Sequence, residues 1–143
     1  MTTTLDAVEL AERYVRGWNE HDGAAVAACF ADGGTYVDPT LPGPLPKAVL
    51  GEYVAGLVSA IPDLVFVTDD VVSDGTRVCA PWRLQGTWSG PMPGLPEPTG
   101  RRCDLPGIDV ITVGADGITR VVGYFDQKTF AEQLGLRVEV ATG

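Results

Sequence analysis

The sequence predicts an α+β fold in which a strongly curved, mixed or antiparallel sheet wraps around N-terminal helices and leaves an internal apolar pocket. Helical periodicity dominates the first part of the chain, whereas strands joined by hairpin turns dominate the second part. The 143 residues include 45% apolar side chains, which suffices for one core without disulfides or metal. We therefore expect residues 1–143 to form a single domain.

The helices are predicted from apolar side chains that recur at helical spacing. In the first helix Val8, Ala11, Val15 and Trp18 form such a stripe, with Tyr14 beside it. The turn at 19–23 ends this helix, and Asp22 is a predicted N-cap for the next. Later helices are predicted over 24–30, over 47–60 with Val49, Tyr53, Leu57 and Ile61 on one side, and over 127–134, ending at Gly135.

The strands are predicted from β-branched runs that are separated by turn residues. A turn at 32–34, a proline-rich loop at 40–46, hairpin turns at 73–76 and 114–117, and a glycine- and proline-rich loop at 89–100 divide the chain. Between them, strands are expected over 35–38, 64–72, 77–88, 101–113 and 118–125.

Charge and composition exclude several classes of partner. The net charge is −9 and the pI is about 4.4, so nucleic acid and anionic membrane surfaces are not expected partners. Cys29, Cys79 and Cys103 match no disulfide framework, which favours free thiols in a reducing compartment. Residues 1–6 lack the features of a secretory signal, and no apolar run reaches transmembrane length. We expect a soluble, cytoplasmic protein.

Motifs across nearly the whole chain resemble one superfamily. The matching residues in the N-terminal part of the chain are Arg13-Tyr14-Val15, Asn19, Asp22, Phe30-Ala31-Asp32 and Val37-Asp38-Pro39. This part resembles the nuclear-transport-factor-2-like (NTF2-like) superfamily. The superfamily includes ketosteroid isomerases, limonene epoxide hydrolases and SnoaL-like polyketide cyclases. The second half resembles the SnoaL-like branch, through residues 82–90, 98–102, 107–109, Asp126 and Gln133-Leu134-Gly135. The resemblance implies a cone-shaped α+β barrel, a pocket with one mouth and a homodimer.

The resemblance also implies catalytic residues. Asp126 matches the aspartate that acts as acid and base in the aldol ring closure of SnoaL-like cyclases. The alternative is an N-cap that accepts hydrogen bonds from the amides of Lys128 and Thr129. Asp38 matches the proton-shuttling base of ketosteroid isomerases, and its alternative role is a turn-forming Asp-Pro.

Tyr14 and Asp109 match the two hydrogen-bond donors that hold the enolate oxygen in ketosteroid isomerases. Asp109 shares a strand face with apolar residues such as Leu105 and Ile111, so we expect its carboxyl to be desolvated. The alternatives are a core tyrosine with a satisfied hydroxyl, and a structural aspartate paired with Arg83 or Arg101.

Two differences from related sequences disfavour a histidine-assisted mechanism and epoxide hydrolysis. Trp88 stands where many SnoaL-like sequences carry a histidine, and the only histidine, His21, lies in a turn. The strand at 80–83 lacks the acid that the epoxide hydrolases use. Aromatic side chains are expected in the pocket in place of the polar groups of these relatives. The expected substrate-binding residues are Trp88, Trp82, Tyr53 and Phe66, with Met92 near the mouth of the pocket. Trp18 is expected to belong to the core.

No metal-binding or nucleotide-binding pattern is present in the sequence, so no cofactor is expected. The predicted function is a cofactor-independent cyclase that closes a ring in an apolar polyketide-like substrate, either by acid/base aldol closure or by a pericyclic closure that the pocket shape drives. An enone isomerase of the ketosteroid type and a non-catalytic binder are the alternatives.

Overall fold

The computed structural model describes residues 6–142. Four helices and seven strands lie within this range. In chain order they are α1 Ala7–Asn19, α2 Gly23–Ala28, β1 Phe30–Val37, β2 Leu45–Pro46, α3 Lys47–Ala60, β3 Val65–Thr68, β4 Val72–Ser73, β5 Arg77–Thr87, β6 Arg102–Gly114, β7 Gly117–Phe125 and α4 Gln127–Gln133.

All seven strands belong to one curved, mixed sheet. The strand order is β2-β1-β7-β6-β5-β3, with β4 paired to β5. The pair β1–β7 is parallel and the other pairs are antiparallel. The predicted fold class, a curved mixed sheet around helices, is confirmed.

The helices cover the inner face of the sheet, because alternating strand residues are apolar there. Along β5, Val78, Trp82 and Leu84 are buried, whereas Arg83 lies on the exposed outer face. The first helix begins at a cap, since Asp6 Oδ1 accepts hydrogen bonds from the amides of Val8 and Glu9. Its inward stripe includes Tyr14 and Trp18, which places both side chains against the sheet.

Several predicted boundaries are wrong at the first strand. It begins at Phe30, so the predicted end of α2 is two residues late and the glycines at 33 and 34 lie inside β1. The ladder to β7 shifts register between Phe30 and Thr35, which accommodates this glycine pair. A side chain at Gly34 would also collide with the carbonyl oxygen of Ile118.

Two further expectations fail. Leu45 and Pro46 form a short edge strand inside the predicted loop, and Pro46 is tolerated because it lies at the sheet edge. The predicted inward side of α3 is wrong at Val49, which is exposed, whereas Ile61 is buried and Tyr53 and Leu57 pack against the core as predicted. The buried residues within the helix itself are Leu50, Val54 and Ala60.

No helix within residues 6–142 combines the length and apolarity needed to cross a membrane. The expectation about a secretory signal concerns residues 1–6, of which 1–5 lie outside the described residues.

Candidate functional site

A cavity of about 710 Å³ lies between the inner face of the sheet and helices α1, α3 and α4. Its lining is mainly apolar, and the loop residues Met92, Pro93 and Leu95 contribute to it. Aromatic side chains make up much of the wall: Trp18, Tyr36, Tyr53, Phe66, Trp82, Phe125 and Phe130.

Neighbouring aromatic rings of this wall contact one another, and these contacts run around the cavity from Tyr36 to Trp82. Tyr36 packs on Tyr53 with ring centroids 5.4 Å apart, and Tyr53 meets Trp18 at 90°. Trp18 then contacts Phe66, which contacts Trp82 at 5.2 Å. Edge-to-face packing of this kind gives each ring a fixed orientation, so the wall is shaped before a ligand arrives.

Asp38 lies on the cavity at the end of β1, and four donors surround its carboxyl group. Oδ2 accepts hydrogen bonds from the hydroxyls of Tyr36, at 2.8 Å, and Tyr53. Oδ1 accepts from the amide of Thr40, at 2.8 Å, and from its hydroxyl, at 2.6 Å. The turn-forming role that the sequence left open is therefore present, and only 6% of Asp38 is exposed.

Asp109 lies on the cavity in the middle of β6. Its Oδ1 accepts a hydrogen bond from the indole Nε1 of Trp82 at 3.0 Å. The predicted arginine partners are absent from this contact, because Arg83 points outward and binds Asp104 at 2.8 Å. Part of the Asp109 surface remains exposed, and Asp109 lines the cavity.

The environment of Asp109 raises the pKa of its carboxyl from 3.8 to about 7. Burial is the largest cause, because it disfavours the charged form. The hydrogen bond from Trp82 acts in the opposite direction, and the negative charge of Asp38 adds to the increase. A carboxyl group with this pKa can both accept and release a proton at neutral pH.

Tyr14 reaches the same cavity from α1. The residue is 1% exposed, and its hydroxyl has no hydrogen-bond partner in the structure. The satisfied core tyrosine that the sequence left open is therefore not observed. Burial, followed by the charge of Asp109, raises the pKa of Tyr14 well above its usual value, so the hydroxyl stays protonated. Tyr14 lines the cavity, and its buried hydroxyl is a donor whose hydrogen bond is unused in the structure.

Asp126 is not one of the residues that line the cavity, although its neighbours Phe125 and Gln127 are. It is exposed and caps α4, with its Oδ1 accepting hydrogen bonds from the amides of Lys128, at 2.9 Å, and Thr129, at 3.2 Å. The Thr129 amide, followed by that of Lys128, lowers the pKa of Asp126, which favours the ionised form. The capping alternative is the one observed, and the structure brings Asp126 into no contact with the other predicted polar residues.

Trp88 is also separate from the cavity lining, so the placement predicted for it is corrected. It is fully buried, and its Nε1 donates a hydrogen bond to the carbonyl oxygen of Gly90 at 2.8 Å. The physical reason is that Trp88 continues the inward alternation of Trp82 and Leu84, while the next residues, 89 and 90, bond to the carbonyl oxygen of Ala60 at the end of α3 and enclose the indole in the core.

The remaining predicted substrate-binding residues, Trp82, Tyr53, Phe66 and Met92, line the cavity. Trp18, which the sequence favoured as core, is buried and lines it as well. Tyr36 also lines the cavity and was not predicted as a site residue. Its signal was present, because Tyr36 precedes Asp38 by two residues on a strand and shares its face.

Within residues 6–142, histidine, cysteine, aspartate and glutamate side chains form no group of three that could hold a metal ion. His21 lies apart from the cavity lining, with its Nε2 2.9 Å from the carbonyl oxygen of Leu64. The charged side chains that line the cavity are Asp38, Glu52 and Asp109, all acidic.

The curved mixed sheet, the helices on its inner face and the enclosed pocket define a protein of the NTF2-like, ketosteroid isomerase-like fold class. The sequence matches the SnoaL-like domain over residues 11–123, and the chain belongs to this family. No curated protein matches the sequence at a significant level.

Solved structures agree with this assignment. A candidate polyketide cyclase from Acidithiobacillus ferrooxidans is 26% identical, with a TM-score of 0.75 over 94% of this chain and 98% of that chain. Another, from Xanthomonas campestris pv. campestris, is 25% identical, with a TM-score of 0.77 over 90% and 96%. A Catenulispora acidiphila protein with a ketosteroid isomerase-like fold is 19% identical, with a TM-score of 0.75 over 94% and 96%, and supports the fold alone.

Proposed function

We propose that this protein is a cofactor-independent cyclase that closes a ring in a polyketide-type carbonyl compound during secondary-metabolite biosynthesis, by acid/base aldol chemistry. One observation carries the proposal: Asp109, whose carboxyl group has a pKa of about 7, lines an apolar cavity together with Tyr14, whose buried hydroxyl has no hydrogen-bond partner. Membership of the SnoaL-like family and similarity to candidate polyketide cyclases support it.

The aldol step assigns one role to each polar group. The ionised form of Asp109 removes a proton from the carbon next to a substrate carbonyl. Tyr14 donates a hydrogen bond to that carbonyl oxygen, where negative charge develops. The enolate carbon then attacks a second carbonyl carbon of the same molecule, forming the new C–C bond. Protonated Asp109 returns its proton to the resulting alkoxide, so the reaction consumes no co-reactant.

The aromatic wall contributes by selecting a substrate conformation. A flexible chain with two carbonyl groups rarely brings its reacting carbons together in water. The rings of Trp18, Phe66 and Trp82 are fixed by edge-to-face contacts, and they can hold such a chain in a folded shape. Positioning of this kind lowers the entropic part of the barrier. Ring closure that depends on shape alone would need the same wall but no proton transfer.

A second candidate function is an enone isomerase. The observation that favours it is that Tyr14, Asp38 and Asp109 all line one cavity. The first step would be the same proton removal, but the proton would return to a different carbon of the same substrate. The product distinguishes the two candidates, since isomerisation leaves the number of rings unchanged and cyclisation adds one.

The test compares two aspartate-to-asparagine variants on an uncharged aryl diketone that can close a six-membered ring. Asp109→Asn removes the titrating group, and we expect the cyclisation rate to fall by about 10²- to 10⁴-fold. Asp126→Asn is the matched control, since asparagine is as good an N-cap as aspartate and the residue is not in the cavity lining. Loss of cyclisation in Asp126→Asn with normal cyclisation in Asp109→Asn would overturn the proposal. Recovery of the bound diketone unchanged from the unaltered protein would favour a binder.

A further inference from the structure

The four hydrogen bonds to Asp38 limit what its carboxyl can do. The hydroxyls of Tyr36 and Tyr53 donate to one oxygen, and the amide and hydroxyl of Thr40 donate to the other. Four donors suit an ionised carboxylate, which can only accept hydrogen bonds. A substrate proton could reach either oxygen only by displacing one of these donors.

Asp38 and Asp109 are neighbours across a gap that a glycine leaves open. Gly123 of β7 pairs with Asp109 of β6, and the parallel ladder from β1 brings Val37 next to Val122. A Cβ atom added at Gly123 would lie 3.0 Å from Asp109 Oδ1 and 3.4 Å from Asp38 Cβ. The Tyr36 hydroxyl, which donates to Asp38, also lies within 3.8 Å of this position, so the glycine itself places no side chain between Asp38 and Asp109.

The groups that face Asp109 from the packed elements offer no compensating positive charge. They are Tyr14 from α1, Tyr36 from β1, Trp82 from β5, Gly123 from β7 and Asp38 after β1. Among the described residues, the cavity lining includes no lysine, arginine or histidine. No cation of the cavity lining therefore offsets the effect of the Asp38 charge on Asp109.

We propose that Asp38 is a positioning residue whose carboxylate, held by four donors beside Asp109, favours the protonated form of Asp109, and that Asp38 does not exchange protons with the substrate. The inference rests on the proposed function, in which Asp109 is the acid/base group. Asp38 thus differs from the base role that the family resemblance implies. Its tyrosine and threonine donors occupy both carboxyl oxygens, and its negative charge assists burial in keeping Asp109 protonated close to neutral pH.

The experiment measures the titration of Asp109 directly, by carbon-13 NMR of the aspartate carboxyl carbons, with Asp109→Asn used to assign the signal. In Asp38→Asn the negative charge is lost, and we expect the midpoint of Asp109 to fall by on the order of one pH unit. Asp38→Ser removes the same charge with a smaller side chain, in case asparagine prevents folding. Glu52→Gln is the control, since it removes the charge of a different, exposed acidic residue of the cavity lining, and the midpoint should stay near its original value.

An unchanged Asp109 midpoint in a folded Asp38→Asn or Asp38→Ser variant would overturn the proposal. The proposal would also be overturned if Asp109 of the unaltered protein titrated with a midpoint near the ordinary aspartate value. The proposed function fails separately: if Asp109→Asn retains cyclisation while the Asp38 variants still shift the midpoint, the tuning stands and the catalytic role of Asp109 does not. A rate loss in Asp38→Asn without change in the pH dependence of the rate would indicate a merely structural Asp38.

Discussion

The indole nitrogen of Trp82 lies 3.0 Å from Oδ1 of Asp109, and this hydrogen bond joins two neighbouring strands on the cavity side of the sheet. The bond depends on strand register, because Trp82 pairs with Gly107, two residues before Asp109. A side chain at Gly107 would collide with the indole ring. The glycine therefore lets the ring lie flat on β6 and reach the carboxyl group.

Replacing Trp82 with phenylalanine should raise the pKa of Asp109 above about 7, because the indole donor stabilises the ionised form. The pH–rate profile of cyclisation should then shift to higher pH, since the ionised, basic form of Asp109 becomes populated only at higher pH. Phe66→Leu changes the neighbouring ring and leaves the hydrogen bond in place. A shift in the Phe66→Leu profile equal to that of Trp82→Phe would contradict this account.

Tyr14→Phe should separate stability from activity. Removal of an unpaired buried hydroxyl is expected to raise the free energy of unfolding by about 1 kcal/mol, measured by urea denaturation. The same change removes the donor to the substrate oxygen, and the cyclisation rate should fall by about 10²- to 10³-fold. A large loss of stability with an unaltered rate would show that the hydroxyl serves the core.

The unfolding free energy should depend on pH through Asp109. Its pKa is about 7 in the folded protein and close to 3.8 when unfolded, so the folded state binds the proton more tightly. This contribution to stability is complete below pH 4 and is lost as the pH rises through about 7. Urea denaturation from pH 5 to pH 8 should show a decrease on the order of a few kcal/mol that is missing in Asp109→Asn. If the unfolding free energy of the unaltered protein and of Asp109→Asn depended on pH in the same way, a raised pKa of Asp109 would be refuted.

Gly123→Ala should disturb the site more than the fold. The added Cβ would lie 3.0 Å from Asp109 Oδ1, so the carboxyl group has to move by a few tenths of an ångström. We expect cyclisation to slow by up to about 100-fold, because catalysis is sensitive to small misplacements. Gly43→Ala is the matched control, since a Cβ there meets no atom within 4 Å. Equal rates in the two variants would contradict the prediction.

Much of the fold could be predicted because it depends on local patterns. The alternation of Val78, Trp82 and Leu84 along β5 identifies the strand and its inner face, and capping aspartates mark the starts of α1, α2 and α4. The start of β1 could not be predicted, because glycines at 33 and 34 are typical of a turn. Pairing with the distant strand β7 keeps them in the sheet.

The candidate site was predicted less completely, because it depends on where distant elements meet. Motif matching selected Asp109 and Asp126 alike, but only tertiary structure shows that one lines the cavity while the other caps a helix. Trp88 was predicted to line the pocket as one of its aromatic residues, yet the contact of residues 89 and 90 with the end of α3 encloses it in the core. The second tyrosine donor to Asp38, Tyr53, comes from α3, which no short motif links to β1.

Solvent deuterium exchange tests the central claim most directly, because it isolates the proton transfer from the ring closure. The protein is incubated in heavy water with an uncharged aryl ketone that cannot cyclise, and deuterium at the carbon next to the carbonyl is followed by mass spectrometry. We predict rapid incorporation with the unaltered protein and at least about 100-fold slower incorporation with Asp109→Asn. Equal incorporation with the two proteins, or none above the solvent background with either, would contradict acid/base catalysis by Asp109.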